Sequence, residues 1–181
     1  YKEYEEAIKL AKLILKRFGY NITNTQEKTI KTPPFWIDMS KLFELYVYSK
    51  LKEKFNGIGE IVYHKKFNGL EPDFILRSND DKYKMVVDAK YKPRYDLQNI
   101  SIDDARQLSG YARLKSIYKY LDMNQNEIID CLIIYPDMEN GLDVLSLENI
   151  IIQKNKEENK IKAYHKVYKL GVMLPLIQKK E

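Results

Sequence analysis

Asp73, Asp88 and Lys90 bring two carboxylates and an ammonium into one short stretch of chain. Asp88 and Lys90 close the segment "MVVDAK", where three apolar residues of the kind a sheet buries give way abruptly to charge. In a strand, residues two apart project to the same face, so Asp88 and Lys90 look into one pocket while the small Ala89 points oppositely. Asp73 opens the preceding apolar run, "PDFILRS". An antiparallel hairpin between the two runs would carry its carboxylate to the Asp88–Lys90 pair. Two carboxylates with few other ligands favour a hard, hydrated cation such as Mg²⁺. A neighbouring Lys can orient the attacking water, and phosphodiester hydrolysis needs such parts: a Lewis acid, an activated water and positive charge facing the developing negative charge.

The spacing of an acid and a Lys two residues later carries little by itself, because it recurs at Asp80–Lys82 and Glu158–Lys160. Those copies sit in the turn "SNDDKY" and the charge run "KNKEENK", which read as solvated surface. Only Asp88 follows an apolar strand with a second Asp opening the strand before it. A salt-bridged strand end is the rival reading of the same residues.

The elements that must hold these groups can be read from periodicity. Residues 1–19 place Ala7, Leu10, Ala11, Ile14, Leu15 and Phe18 at helical spacing, with Gly19 as a stop. After a polar loop, "SKLFELYVYSKLKEKFNG" predicts a second helix with Ser40 as N-cap and Gly57 just past its end. "GEIVYHKKFNG", "PDFILRS" and "KYKMVVDAK", separated by turns such as "NGLE" and "SNDD", predict an antiparallel meander. "SIDDARQLSGYARLKSIYKYL" predicts one helix of about five turns, opened by Ser101 and Asp104 in capping-box spacing. "EIIDCLIIYP" and "LDVLSL" read as later strands, and residues 148–181 receive no assignment. The expected fold class is α/β, a mixed sheet flanked by helices.

Composition narrows the classes. With 181 residues, 44% of them hydrophobic, the chain can bury a substantial core, which excludes a disordered segment. Lys plus Arg outnumber Asp plus Glu by 31 to 26, and the net charge of +5 suits an anionic partner such as nucleic acid without demanding one. The single cysteine, Cys131, excludes an internal disulfide and reads as a buried strand thiol in a reducing, cytoplasmic setting. No signal peptide, membrane span or Walker A pattern is present in the sequence. The chain opens on Tyr1 rather than Met, and is expected to be a piece of a longer protein.

"PDFIL" followed by "VVDAK", flanked by helices, is similar to the PD-(D/E)XK nuclease superfamily. More narrowly, "PPFWIDMSKLFELYVYSKL" with "EPDFIL", "VVDAKYK" and "DDARQLSGYA" resembles the nuclease half of the McrC family, the cleaving subunits of McrBC-type restriction systems, from the first helix to about Tyr135. The resemblance implies a PD-(D/E)XK restriction-endonuclease-like core, with residues 1–181 forming one nuclease domain whose catalytic core spans 40–135. It further implies cleavage of double-stranded DNA with Mg²⁺, Mn²⁺ serving as a substitute. The implied partner is an McrB-like AAA+ GTPase, reached through a region absent from this chain.

Residue by residue, the resemblance implies that Asp73, Asp88 and Glu44 are metal ligands, joined by the backbone carbonyl of Ala89, and that Lys90 positions the nucleophilic water. Gln107 and Tyr111 match the "QxxxY" helix motif of the related RecB-like nucleases, and their spacing puts both on one helix face. Lys92 and Arg94, beside Tyr91 and Tyr95, would lie near a phosphate path, against the default reading of a solvated charge run. His64 and His165 stand alone in sequence, without a partner at zinc spacing, and are read as non-ligands. Two other classes share these features: a nuclease-fold DNA-binding or scaffold subunit without activity, and another PD-(D/E)XK repair or transposase-like nuclease. The "IDMSKLFE" helix favours the McrC pattern over the latter.

Overall fold

A computed structural model describes residues 8, 9, 11–13, 37–92 and 101–175. The chain divides into two compact units, Tyr1–Trp36 and Ile37–Glu181. In the first, residues 8, 9 and 11–13 are helical, and the rest of the helix expected over 1–19, with its stop at Gly19, lies outside the described residues. The second is built around a five-stranded sheet.

Helix α1 (Met39–Phe55) starts two residues earlier than expected from Ser40: Asp38 is the N-cap, and its carboxylate accepts the Lys41 N–H at 3.1 Å. Phe43, Val47, Leu51 and Phe55 recur every four residues along it and are buried. The chain leaves the helix through Gly57, whose φ of +83° suits a residue without Cβ.

Strands β1 (Gly59–Tyr63), β2 (Phe74–Ser78) and β3 (Lys84–Ala89) form the expected antiparallel meander. Strand β4 (Asp130–Pro136) then pairs parallel with β3, and β5 (Val167–Val172) parallel with β4, giving the order β1-β2-β3-β4-β5. Because side chains alternate along a strand, the sheet carries two cores. Phe74, Leu76, Met85, Val87, Leu132 and Ile134 meet the buried stripe of α1 on one face. Ile75, Val86, Cys131 and Ile133 meet Leu108, Ile117 and Leu121 on the other. Each such fully buried aliphatic side chain contributes about 1.5–3 kcal/mol relative to exposure.

Three expectations are corrected. The single helix predicted from Ser101 is two, α2 (Ile102–Tyr111) and α3 (Lys115–Leu121), separated at Leu114 by an extended backbone (φ −70°, ψ 124°). At 3.6 residues per turn a straight helix would turn Ile117 to the side opposite Leu108, yet both are fully buried in one core, so the break re-aims the second half. Ser101 is the N-cap as predicted, but it makes no capping bond, and Asp104 pairs instead with Lys92. Finally, "LDVLSL" is not a strand. Only Leu142 bridges to Val172, and Ser146 caps α4 (Leu147–Lys154) by accepting the Asn149 N–H at 3.1 Å.

Candidate metal centre

The charged residues of interest collect at one end of the sheet, where β1 and β3 finish and β2 begins. The β1–β2 hairpin is responsible for part of this. Asn68 and Gly69 both adopt positive φ (+51° and +82°), as a tight two-residue hairpin loop requires, and Phe67 pairs with Leu70 around them. Further down, the His64 N–H donates to the Asp73 carbonyl at 3.1 Å, which sets His64 and Asp73 side by side.

The β2–β3 pairing does the rest. Asp73 immediately precedes β2, and its Oδ2 accepts the Ala89 N–H at 2.8 Å, so the first carboxylate is anchored on the middle residue of Asp88-Ala89-Lys90. Asp88 is only 1% exposed. Its Oδ2 lies 2.9 Å from Lys90 Nζ, an ion pair whose geometry is not that of a directed hydrogen bond. Lys90 Nζ in turn donates to Gln107 Oε1 at 3.0 Å, and Gln107 Nε2 donates to Tyr111 OH at 2.9 Å. An unbroken polar chain therefore runs from the end of β3 onto α2.

Glu44 comes from α1, with its side chain 12% exposed. Its carboxylate meets Lys41 Nζ at 2.9 Å and His64 Nε2. Ligand atoms of Glu44, His64 and Asp73 all lie within 4.8 Å of one another. Reading His64 as a solitary residue is thus corrected, since the hairpin returns it to the carboxylates. The hairpin signal "FNGL" was present in the sequence, and extending its register outward from the turn pairs His64 with Asp73. Glu71, which meets His64 Nδ1 at 2.5 Å, was also missed. His165 lies elsewhere, between the 3₁₀ turn Glu157–Asn159 and β5.

Electrostatics mark the cluster. Burial, and then the charge of Asp88, push the Asp73 carboxyl up to about 7. Burial also raises Asp88, against the opposing pull of Lys90. Burial works to lower Lys90, but Asp88 overrides it and the ammonium is held above its ordinary value. Glu44 is penalised by burial yet ends below the usual carboxylate range, because the Lys41 ammonium donates to it and the His64 ring lies against it. Carboxylates crowded out of water, one with a buried oxygen lacking a directed donor, fit a small divalent cation.

The remaining predicted residues divide. Lys92 Nζ is 2.5 Å from Asp104 Oδ2, tying the strand exit to α2. The Tyr91 ring packs on Phe43 with centroids 5.8 Å apart, a packing role rather than an exposed aromatic. Arg94 and Tyr95 lie outside the described residues. The Asp80 and Lys82 side chains are 51% and 73% exposed, as expected of a solvated turn. Cys131 is buried, its thiol pushed up to about 12 by desolvation and the Asp130 charge, so it is chemically quiet.

Comparison with known proteins adds three findings. No curated protein matches the sequence. The fold is similar to a chain in a solved Thermococcus gammatolerans assembly of McrB AAA+ hexamers with bound McrC, at 21% identity and a TM-score of 0.48. That likeness covers 77% of this chain but 28% of the other, so the present chain spans well under half of its length. A family model described as "McrBC 5-methylcytosine restriction system component" matches residues 1–136, most of the sequence. The chain belongs to the McrBC 5-methylcytosine restriction system component family.

Proposed function

We propose that this chain is the DNA-cleaving part of a McrBC-type restriction system, a metal-dependent endonuclease with a PD-(D/E)XK core that hydrolyses phosphodiester bonds in double-stranded DNA. The observation that carries this reading is the convergence of Asp73, Asp88 and Lys90 at one end of the sheet, with Asp73 bonded to Ala89 and Lys90 2.9 Å from Asp88. Glu44, Asp73 and Asp88, with the Ala89 carbonyl, would hold Mg²⁺ or Mn²⁺. When bound, the ion supplies Lewis-acid polarisation of the phosphate and a lowered pKa for the attacking water.

The chain's own groups account for orientation. Lys90 is the one donor of the Asp-Asp-Lys set, and its ammonium is braced from two sides by Asp88 and Gln107. In that position it donates to the attacking water, aims a lone pair at phosphorus, and meets negative charge as it builds on the phosphate. Tyr111 fixes the Gln107 amide so that its oxygen, rather than its nitrogen, faces Lys90. On this reading the chain works with an McrB-like AAA+ GTPase that delivers DNA to the cleavage site in the cytoplasm; membership of the McrBC restriction system component family supports the restriction-system context. None of the helices among the described residues is long and apolar enough to cross a membrane.

The test is cleavage of methylated and unmethylated duplexes by the complete protein that carries this chain, reconstituted with such a GTPase, with Mg²⁺ or Mn²⁺ present or chelated. Metal-dependent strand breaks that vanish in Asp88→Ala and Lys90→Ala support the reading. Breaks that persist in both variants at the wild-type rate refute it.

A further inference from the structure

His64 directly follows β1 and lies in the left-handed region, with φ +51°, a conformation His adopts more readily than most side chains. Its ring sits between two carboxylates from different elements: Nδ1 is 2.5 Å from Glu71 Oε1, and Nε2 meets Glu44 Oε1. A carboxylate only accepts, so Nδ1 carries a hydrogen. That leaves Nε2 facing the space shared with Glu44 and Asp73, whose ligand atoms are all within 4.8 Å.

Lys41 exposes a conflict at this point. Its ammonium, which only donates, is 3.0 Å from His64 Nε2 and 2.9 Å from Glu44 Oε1. Donation from Lys41 needs a lone pair on Nε2, whereas the contact of Nε2 with Glu44 needs a proton there. Both cannot be satisfied together. A divalent cation resolves the conflict by accepting from Nε2 and from Glu44 at once. The Lys41 ammonium is then a stand-in for it: a positive charge lodged where an imidazole nitrogen and a carboxylate meet, on a side chain 45% exposed and free to withdraw into solvent.

We infer that His64 Nε2 is a nitrogen ligand of the metal centre, beside Glu44 and Asp73, and that Glu71 is the positioning residue that fixes its ring. The inference rests on the metal-dependent reading above and deepens it. A histidine whose far nitrogen donates to a carboxylate is the usual arrangement of an imidazole ligand. A donor set of carboxylates plus one imidazole also suits Mn²⁺ and later first-row ions better than an all-oxygen set does, so Mn²⁺ binds more tightly here than Mg²⁺.

The experiment is pulsed electron paramagnetic resonance of Mn²⁺ added to the chain, without DNA or turnover. The wild type is expected to give the nitrogen modulation of a coordinated imidazole. His64→Gln is expected to lose it while binding Mn²⁺ about tenfold or more weakly, and Glu71→Gln to keep it with weakened binding. Bound Mn²⁺ without nitrogen modulation in the wild type overturns this inference and leaves the metal-dependent reading standing. Modulation that survives in His64→Gln also overturns it, assigning the signal to His165. No Mn²⁺ binding by the wild type sinks the metal-dependent reading and this inference together.

Discussion

Lys90 Nζ and Gln107 Oε1 are 3.0 Å apart, joining the first residue after β3 to the middle of α2. The sheet supplies the ammonium and the opposite core layer supplies its brace. Gln107→Ala removes the brace but neither charge, so it is expected to lower kcat by up to about 10²-fold through misplacement of Lys90. DNA affinity should be unchanged. Single-turnover cleavage alongside a DNA-binding titration checks this, and an unchanged cleavage rate would show that Lys90 needs only Asp88.

Asp88→Ala and Lys90→Ala are expected to reduce metal-dependent cleavage by about 10²–10³-fold or more, the scale of losing one preorganised charge-stabilising group. Binding to DNA should persist, because neither residue belongs to an exposed basic surface. Gel-shift and nicking assays on the same preparations separate the two effects. Loss of binding in parallel with cleavage would count against a catalytic role.

The metal-free protein is expected to lose stability as pH rises from about 4 to about 7. Asp73 is pushed up to about 7 in the fold from an ordinary 3.8, by burial and the nearby Asp88 charge, so the folded state binds its proton more tightly across that window. Stability then falls by up to about 1.4 kcal/mol per pH unit. His64 acts in the same sense at the upper end, because its folded pKa is raised: burial opposes the charge, but Glu44 and Glu71 favour it. Its contribution is present below 6.5 and lost above its folded value. Asp73→Asn should flatten the acidic limb and raise Tm at neutral pH. Thermal melts in chelator across this range would show it, and a wild-type Tm that climbs between pH 4 and 7 would contradict the assignment.

Leu51→Ala, in the buried stripe of α1, is expected to cost about 2–5 kcal/mol in urea unfolding. Leu42, on the same helix but 45% exposed, should cost no more than about 0.5 kcal/mol when truncated. Equal losses at the two positions would mean that the apolar face of α1 has been misassigned.

The hairpins and α1 were legible because their signals are local: alternation, turn residues and a four-residue apolar period. Asp73, Asp88 and Lys90 could be brought together for the same reason, as one hairpin joins them. The place of His64 beside Asp73 was legible in principle through the "FNGL" turn, whose register pairs the two, whereas sequence spacing alone leaves His64 isolated. The break at Leu114 was not legible. It depends on both Leu108 and Ile117 reaching one sheet face, a demand set by tertiary packing. "LDVLSL" misled through its alternation, while Ser146 held a capping signal three residues before Asn149 that competes with a strand.

Strand β3 is antiparallel to β2 on one side and parallel to β4 on the other, so the two halves of the centre depend on connections of different length. Its acidic half needs only short loops to close, since Asp73 and Asp88 belong to one hairpin. The brace on Lys90 needs α2, which packs on Val86 of β3 and also on Cys131 and Ile133 of β4, the parallel partner reached across a long crossover. Loop-closure entropy makes that the slower event. A refolding chain is therefore expected to bring Asp73 and Asp88 together before Lys90 is braced, so that the two carboxylates meet ahead of the group proposed to orient the water.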